Sequence, residues 1–312
     1  MTKVVTLFIQ LVMKHLNDKG CHAVQTEGDA DVEIARTAAS LSILNSTTLI
    51  GEDTDLLILL LYYYHTENLQ LLFRSDRQSP GATTKIYDIK SIKLALGDEL
   101  CSSLLFLHAF TGCDSTSRIF GIGKQSAFQK LLRTSSPLTG LAKVFCSESN
   151  PSDVCAAGIK TALYLFGGKD SECIKTLRYR LLSTKIVTSK TFVTPEKLPP
   201  SESALKFHSL RCHYQIMVWM GKSGELLPTD WGWRLQKNAL IPTMNDKSPI
   251  PTELLNVVHC SCTTHCTGNR CGCRKYGMSC SSACGACQSD FCDNTQKVTE
   301  EDEDLENHIL GF

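Results

Sequence analysis

The sequence predicts an α/β domain followed by a small cysteine-rich zinc module. Short β-rich runs alternate with segments of helical spacing through the first 110 residues, which argues for a sheet flanked by helices. Composition is that of a globular chain, with 42% hydrophobic and 21% charged residues in a length of 312. Cysteine is unevenly spread: nine of sixteen fall between Cys260 and Cys292, and the other seven are scattered from Cys21 to Cys212.

The elements follow in order. Residues 4–16 read as an amphipathic helix; Lys14 and His15 interrupt the apolar stretch, and no small-residue cleavage site follows as it would in a signal peptide. CHAVQ (21–25) is expected as a strand, and DADVEIARTAASL after Glu27 as a helix with acidic residues in its first turn. TTLIG (47–51) is a β-rich run that ends in the acidic turn EDTD. The apolar run LLILLLYYY (56–64) has about half the length needed to span a bilayer, so the chain is expected to be soluble. LQLLFR (69–74) and TKIYDI (84–89) read as strands, then SIKLALG and ELCSSLLFLHAF as helices. GCDSTSRIFGIGKQSAFQKLL sets a Gly-Ile-Gly-Lys turn ahead of an amphipathic helix, and residues 135–185 read as further helices broken at SSP and SNPSD. TPEKLPPSES (194–203) has linker composition. Residues 204–258 carry Trp219, Trp231 and Trp233 and are expected as an irregular segment packed on a neighbour. TEEDEDLE (299–306) reads as a solvated acidic tail.

Lys+Arg and Asp+Glu both number 32, so no overall basic excess attracts a polyanion, and any nucleic-acid contact has to come from a local patch. An odd cluster of nine cysteines cannot pair off internally as disulfides, which points to a reducing compartment and metal ligation. The scattered thiols are expected to be small buried hydrophobes.

The cysteine block runs C-x-C-x3-C-x4-C-x-C-x6-C-x3-C-x2-C-x4-C, through Cys260, Cys262, Cys266, Cys271, Cys273, Cys280, Cys284, Cys287 and Cys292. The residues between them are mostly small and polar, so the segment has almost nothing apolar to bury. Structural zinc stabilises such a segment by about 10 kcal/mol or more per ion. Zinc takes four thiolates, and nine thiolates serve three zincs if three of them bridge. Two zincs with a spare thiol, or a mixed site that uses His259 or His265, are the alternatives. The early C-x-C, the RCGCRKYGMSC centre and the C-x3-C-x2-C-x4-C ending with Asn294 close behind resemble the tesmin-type CXC domain. That resemblance implies a three-zinc, DNA-binding module of a nuclear protein, with Arg270, Arg274 and Lys275 as the phosphate-facing cations. Two departures from the family are Arg270 in place of a tyrosine before the fourth cysteine, and the absence of lysines before the first.

Carboxylates recur at Glu27-Gly-Asp29-Ala-Asp31, at Glu52-Asp53-Thr-Asp55 and at Asp114 in Gly-Cys-Asp. Asp53 and Asp55 follow a strand, where open α/β sheets place their sites. Taken singly, each group also reads as a helix N-terminus or a solvated turn. In order and context they resemble the internal region of XPG-type flap endonucleases, which have a PIN-like nuclease fold with a helix–hairpin–helix. The resemblance covers roughly residues 21–135. It implies Glu27, Asp29, Asp53, Asp55 and Asp114 as a catalytic set for Mg²⁺ or Mn²⁺, and Gly121, Gly123 and Lys124 as phosphate-holding hairpin residues. The implied organisation is a PIN/XPG-like domain over 1–190 that is incomplete at its N-terminus, a linker over 191–206 and a Trp/Pro-containing connecting segment over 207–258. The CXC-type zinc module (259–294) and the acidic tail (295–312) complete it. The family's first strand and its aspartates have no counterpart in the residues before Cys21, where Asp18 is the sole acid.

The expected function is therefore zinc-dependent binding of nucleic acid, DNA before RNA, by a nuclear protein whose nuclease-like domain is degenerate or truncated, with weak or no catalysis. An active Mg²⁺-dependent structure-specific endonuclease and a zinc-stabilised protein-interaction scaffold are the competing expectations. No membrane partner is expected.

Overall fold

The structure is a computed structural model that describes residues 3–26, 29–76, 84–133, 136–169, 171–188 and 197–246. In the cysteine-rich segment it describes residues 260–263, 265–275, 279–280, 284, 287–288 and 292–294. The chain divides into two compact units, Met1–Asp246 and Lys247–Phe312. The architecture is mixed α/β, about half helical with small sheets. Among the described residues no single helix is long and apolar enough to cross a membrane.

In the first unit α1 (Lys3–Asp18) forms where expected. Residues 21–26, however, adopt no regular structure in place of the expected strand. The Ala23 N–H donates to Asn17 Oδ1 at 3.1 Å, which folds the segment back on the helix end, and Val24 stays 63% exposed. After α2 (Asp31–Leu41), β1 (Thr47–Ile50) leads through α3 (Thr54–Tyr63) to β2 (Leu71–Ser75), parallel to β1 from Thr47 opposite Leu71 to Ile50 opposite Arg74. β3 (Lys85–Asp88) adds antiparallel to β2, so the order is β1-β2-β3 and only β2 is central. The run 56–64 is a helix, apolar on every side because Leu56, Leu59, Leu60, Leu61 and Tyr64 are all buried.

The rest of the unit is helical. α4 (Ile89–Leu96) is capped by Asp88, whose carboxylate accepts the Ser91 N–H. Gly97, with φ +80°, turns the chain into α5 (Asp98–Thr111). Then come α6 (Lys124–Leu131), α7 (Leu138–Phe145), α8 (Pro151–Leu165), α9 (Ile174–Thr188) and α10 (Glu202–Trp219). Asn150 and Ser201 cap α8 and α10, and Pro151 occupies the first turn of α8, where its missing N–H costs nothing. The core gathers on α5: Phe106 and Phe110 are fully buried and pack on Phe145 of α7, with ring centroids 4.7 Å and 5.9 Å apart.

α10 corrects the expected linker over 191–206 and connecting segment over 207–258. Residues 191–196 lie outside the described residues, but 202–219 form one continuous helix inside the first unit, which extends to Asp246. Its sequence hides it because it is buried on all sides, and polar residues occupy the interior. His208 Nε2 meets the Phe110 carbonyl at 2.9 Å, and His213 Nδ1 meets that of Phe145 at 3.1 Å. Arg211 Nη1 donates to the carbonyls of Gly232 (3.2 Å) and Thr243 (2.6 Å). Those from α5 and α7 are helix-end carbonyls that lack partners within their own helix. Burial pushes the His208 imidazole down to about 4, so it stays neutral at physiological pH. Trp219 and Trp231 are packed rather than presented, Trp231 against His213 at 4.4 Å. A short 3-10 turn (Pro228–Trp231) and the hairpin β4 (Trp233–Gln236) to β5 (Ala239–Pro242) complete the unit. Of the scattered cysteines, Cys101 and Cys212 are buried as expected; Cys21 and Cys173 are exposed.

Candidate functional site

The cysteine-rich unit has sulfur at its centre. Cys260, Cys266, Cys271, Cys273, Cys280, Cys284 and Cys292 are buried together, with Cys262 and Cys287 packed at the edge. All are free thiols. Sγ–Sγ separations are 3.7 Å for Cys260–Cys266, 3.8 Å for Cys260–Cys280 and 3.9 Å for Cys260–Cys287; Cys271–Cys280 is 3.7 Å and Cys273–Cys284 is 3.5 Å. A disulfide would set them at about 2.05 Å. Four thiolates arranged tetrahedrally at about 2.3 Å from zinc stand about 3.8 Å apart, so the spacing is that of metal ligands. Three sets of four sulfurs each lie within 4.8 Å of one another: Cys260 with Cys262, Cys266 and Cys271; Cys260 with Cys271, Cys273 and Cys280; and Cys260 with Cys266, Cys280 and Cys287. The cluster can hold a metal ion such as zinc, and its soft donor set fits that ion.

Burial and neighbouring thiols push Cys280 and Cys266 well up. Burial also raises Cys271, but the Arg274 N–H pointing at its sulfur and the surrounding thiols bring it below the usual thiol range. So many thiols cannot ionise together unless a cation joins them. His265, a candidate ligand by sequence, is 78% exposed and turns its Nδ1 to Asp293 at 3.6 Å. His259 lies outside the described residues. Arg270, Arg274 and Lys275 are all exposed, although Arg274 Nη1 also donates to the Cys266 carbonyl at 3.0 Å and is partly engaged in the fold. Arg274 and Lys275 end a one-turn helix, Gly272–Lys275.

In the first unit the acidic residues sit at element ends. Asp53 caps α3, accepting the Asp55 N–H at 2.9 Å, and Asp29 accepts the Asp31 N–H at 3.2 Å where α2 begins. Asp114 follows α5 on a loop that Gly112 makes possible. Gly112 has φ +113°, and a Cβ there would stand 2.7 Å from Arg118 Cα. Thr116 Oγ1 donates to the Ala109 carbonyl at 2.6 Å, and Ser115 Oγ reaches Gln215 Oε1 of α10 at 2.6 Å, which fixes that loop. The carboxylates converge electrostatically. Asp31 is raised to about 6, first by burial and then by the charges of Asp29, Asp53, Asp55 and Asp114. Glu27 lies outside the described residues.

Two basic side chains face these carboxylates. His108, buried in α5, places Nε2 2.5 Å from Asp55 Oδ1, and Lys124 Nζ lies 3.3 Å from the same Nε2. Burial alone would raise Asp55, but the hydrogen bond and charge of His108, together with the charge of Lys124, hold it below the usual carboxylate range. Lys124 thus points its ammonium toward the carboxylates, whereas Gly121 and Gly123 beside it are open to solvent. Asp31 belongs to the first carboxylate group of the sequence but not to the catalytic set the resemblance implies, and His108 as the partner of Asp55 has no signal in the sequence. A histidine in an apolar helix reads as core, and only the fold brings it to Asp55.

The raised Asp31 has a measurable consequence. A carboxyl raised in the folded state favours folding below its unfolded value of about 3.8, and that contribution disappears as pH rises through the folded value of about 6. In metal-free protein, Asp31→Asn is expected to melt with wild type near pH 4 and above it at pH 7. Equal melting temperatures across that range would mean the charges do not converge.

No family model, curated protein or solved structure matches this chain.

Proposed function

We propose that this chain is a zinc-binding, nucleic-acid-binding nuclear protein in which a PIN-like, flap-endonuclease-like domain is joined to a CXC-type module. The observation that carries the reading is a cluster of nine thiols, seven buried and two at its edge, with sets of four at zinc-ligand spacing. Three zincs would account for all nine sulfurs if Cys260, Cys271 and Cys280 were shared between sites. Cys262 and Cys266 would then hold the first ion, Cys273 and Cys284 the second, and Cys287 and Cys292 the third. The short Cys260–Cys280 and Cys271–Cys280 separations support this division.

Binding of DNA, or of RNA by the same phosphates, falls to Arg270, Arg274 and Lys275, exposed cations of the module, of which Arg274 is also tied to the Cys266 carbonyl. Each phosphate contact steepens the salt dependence by about 0.9 in log–log slope. The test is zinc analysis of the full chain with a mobility shift at several salt concentrations. The double variant Arg270→Ala, Lys275→Ala is expected to flatten the slope by about 2 and weaken binding without losing zinc. Zinc without any shift would leave the interaction scaffold as the function.

The convergence of Asp29, Asp31, Asp53, Asp55 and Asp114 favours a second reading, Mg²⁺- or Mn²⁺-dependent phosphodiester hydrolysis. The oxygen-rich set suits such hard ions, although His108 and Lys124 already compensate part of its charge. With Mg²⁺ or Mn²⁺ bound, the ions would supply activated water, and the chain's part would be to fix the carboxylates at the ends of β1, α2 and α5. Cleavage of flap, hairpin or linear DNA that Asp53→Ala abolishes would establish it; no cleavage leaves binding as the activity.

A further inference from the structure

Asn294 lies two residues beyond the last cysteine and makes three contacts with the sulfur cluster. Its carbonyl accepts the Cys280 N–H at 2.8 Å. Its own N–H points at Cys292 Sγ at 3.4 Å. Its side-chain Nδ2 points at Cys280 Sγ at 3.5 Å. One half-buried residue therefore fastens the returning chain to Cys280 through the backbone and through the sulfur at once. Cys280 also stands within 3.8 Å of two other thiols, Cys260 and Cys271.

The chemistry of a thiolate-rich cluster gives these contacts a purpose. Three zincs with nine thiolates would leave an excess of negative charge on the sulfurs. An N–H directed at a thiolate takes up part of that charge and fixes the lone pair's direction, so the sulfur meets its metals at one angle. The Arg274 N–H is aimed at Cys271, and Asn294 aims N–H groups at Cys280 and Cys292. The Arg274 donor is backbone and survives any substitution except proline. The Nδ2 donor belongs to one side chain.

We propose that Asn294 is the positioning residue of the metal cluster: its side-chain amide holds the Cys280 thiolate in the bridging orientation while its backbone closes the chain over Cys292. The inference rests on the zinc reading above. It goes beyond that reading by assigning cluster integrity to a residue that is not itself a ligand.

The test uses the full chain with zinc, and in parallel with Co²⁺ as a spectroscopic substitute. Asn294→Ala is expected to bind the same number of ions but to release zinc to a chelator roughly 10- to 100-fold faster, the range typical of lost outer-sphere partners. Asn294→Ser keeps a hydroxyl donor and should recover part of the loss. Asn294→Asp sets a carboxylate beside the thiolates and should retain metal worst of all. The sulfur-to-cobalt charge-transfer band should move to lower energy in Asn294→Ala, because an N–H bond to sulfur stabilises the donor orbital; loosened packing alone would not shift it in that sense. Release rates and band positions equal to wild type in both Asn294→Ala and Asn294→Asp would overturn the inference and leave the zinc reading intact. Wild-type protein that binds no zinc would instead overturn the zinc reading itself.

Discussion

Removing zinc from the full chain is expected to unfold the segment 260–294 while the melting transition of the Met1–Asp246 unit stays in place. Apart from its cysteines, the described part of the segment buries no large apolar side chain, so the hydrophobic effect contributes little there. Each structural zinc contributes about 10 kcal/mol or more, far above what any packing within those residues supplies. The first unit has a cluster of buried apolar side chains of its own. Hydrogen exchange before and after chelation resolves the two: protection should vanish over 260–294 and persist in α5 and α10. On the three-zinc arrangement proposed above, Cys280→Ser should reproduce most of the loss, because a bridging sulfur would serve two sites, whereas Cys262→Ser should lose a single ion. Persistent protection in the chelated segment would show that something other than metal holds it.

The second large effect is expected at the contact of α8 with α10. A Cβ placed on Gly158 would stand 1.8 Å from Ser209 Oγ and 2.7 Å from Ser209 Cβ, so these helices touch backbone to side chain with no space between them. Gly158→Val must push α10 away from α8, and with it the histidines that satisfy the ends of α5 and α7. Overpacking of this kind costs about 3 kcal/mol, which for a unit of this size lowers the melting temperature by roughly 10 °C. The smaller change Gly158→Ala should be rescued in part by Ser209→Gly, a coupling that a double-mutant cycle reads directly. Additive effects of the two substitutions would place the helices farther apart than described here.

Some of the fold is legible in the residues because local chemistry and tertiary structure agree. The strand Thr47–Ile50 ends where Asp53 begins a helix, and the same side chain that suggests a metal ligand also supplies the cap. The cysteine spacing is legible for a similar reason, since no alternative use of nine crowded thiols competes. Legibility fails where burial replaces periodicity. Glu202–Trp219 has polar residues on its inward face, because His208 and His213 are there to meet carbonyls. CHAVQ has β-forming residues but no neighbouring strand, and Asn17 claims its backbone instead. The acidic site is half legible: Asp29, Asp53, Asp55 and Asp114 stand out as short motifs. The neutralising pair His108 and Lys124 belongs to other elements and becomes visible only in three dimensions.

The imidazoles of α10 also decide where this polypeptide can be divided. A piece that stopped near residue 190 would keep every carboxylate of the acidic site, yet the ends of α5 and α7 would lose their hydrogen-bond donors and Phe110 one of its ring neighbours, His208. The acidic residues and the final helix of the unit are therefore inseparable parts of one folding entity, although the sequence sets them on opposite sides of a proline-rich stretch.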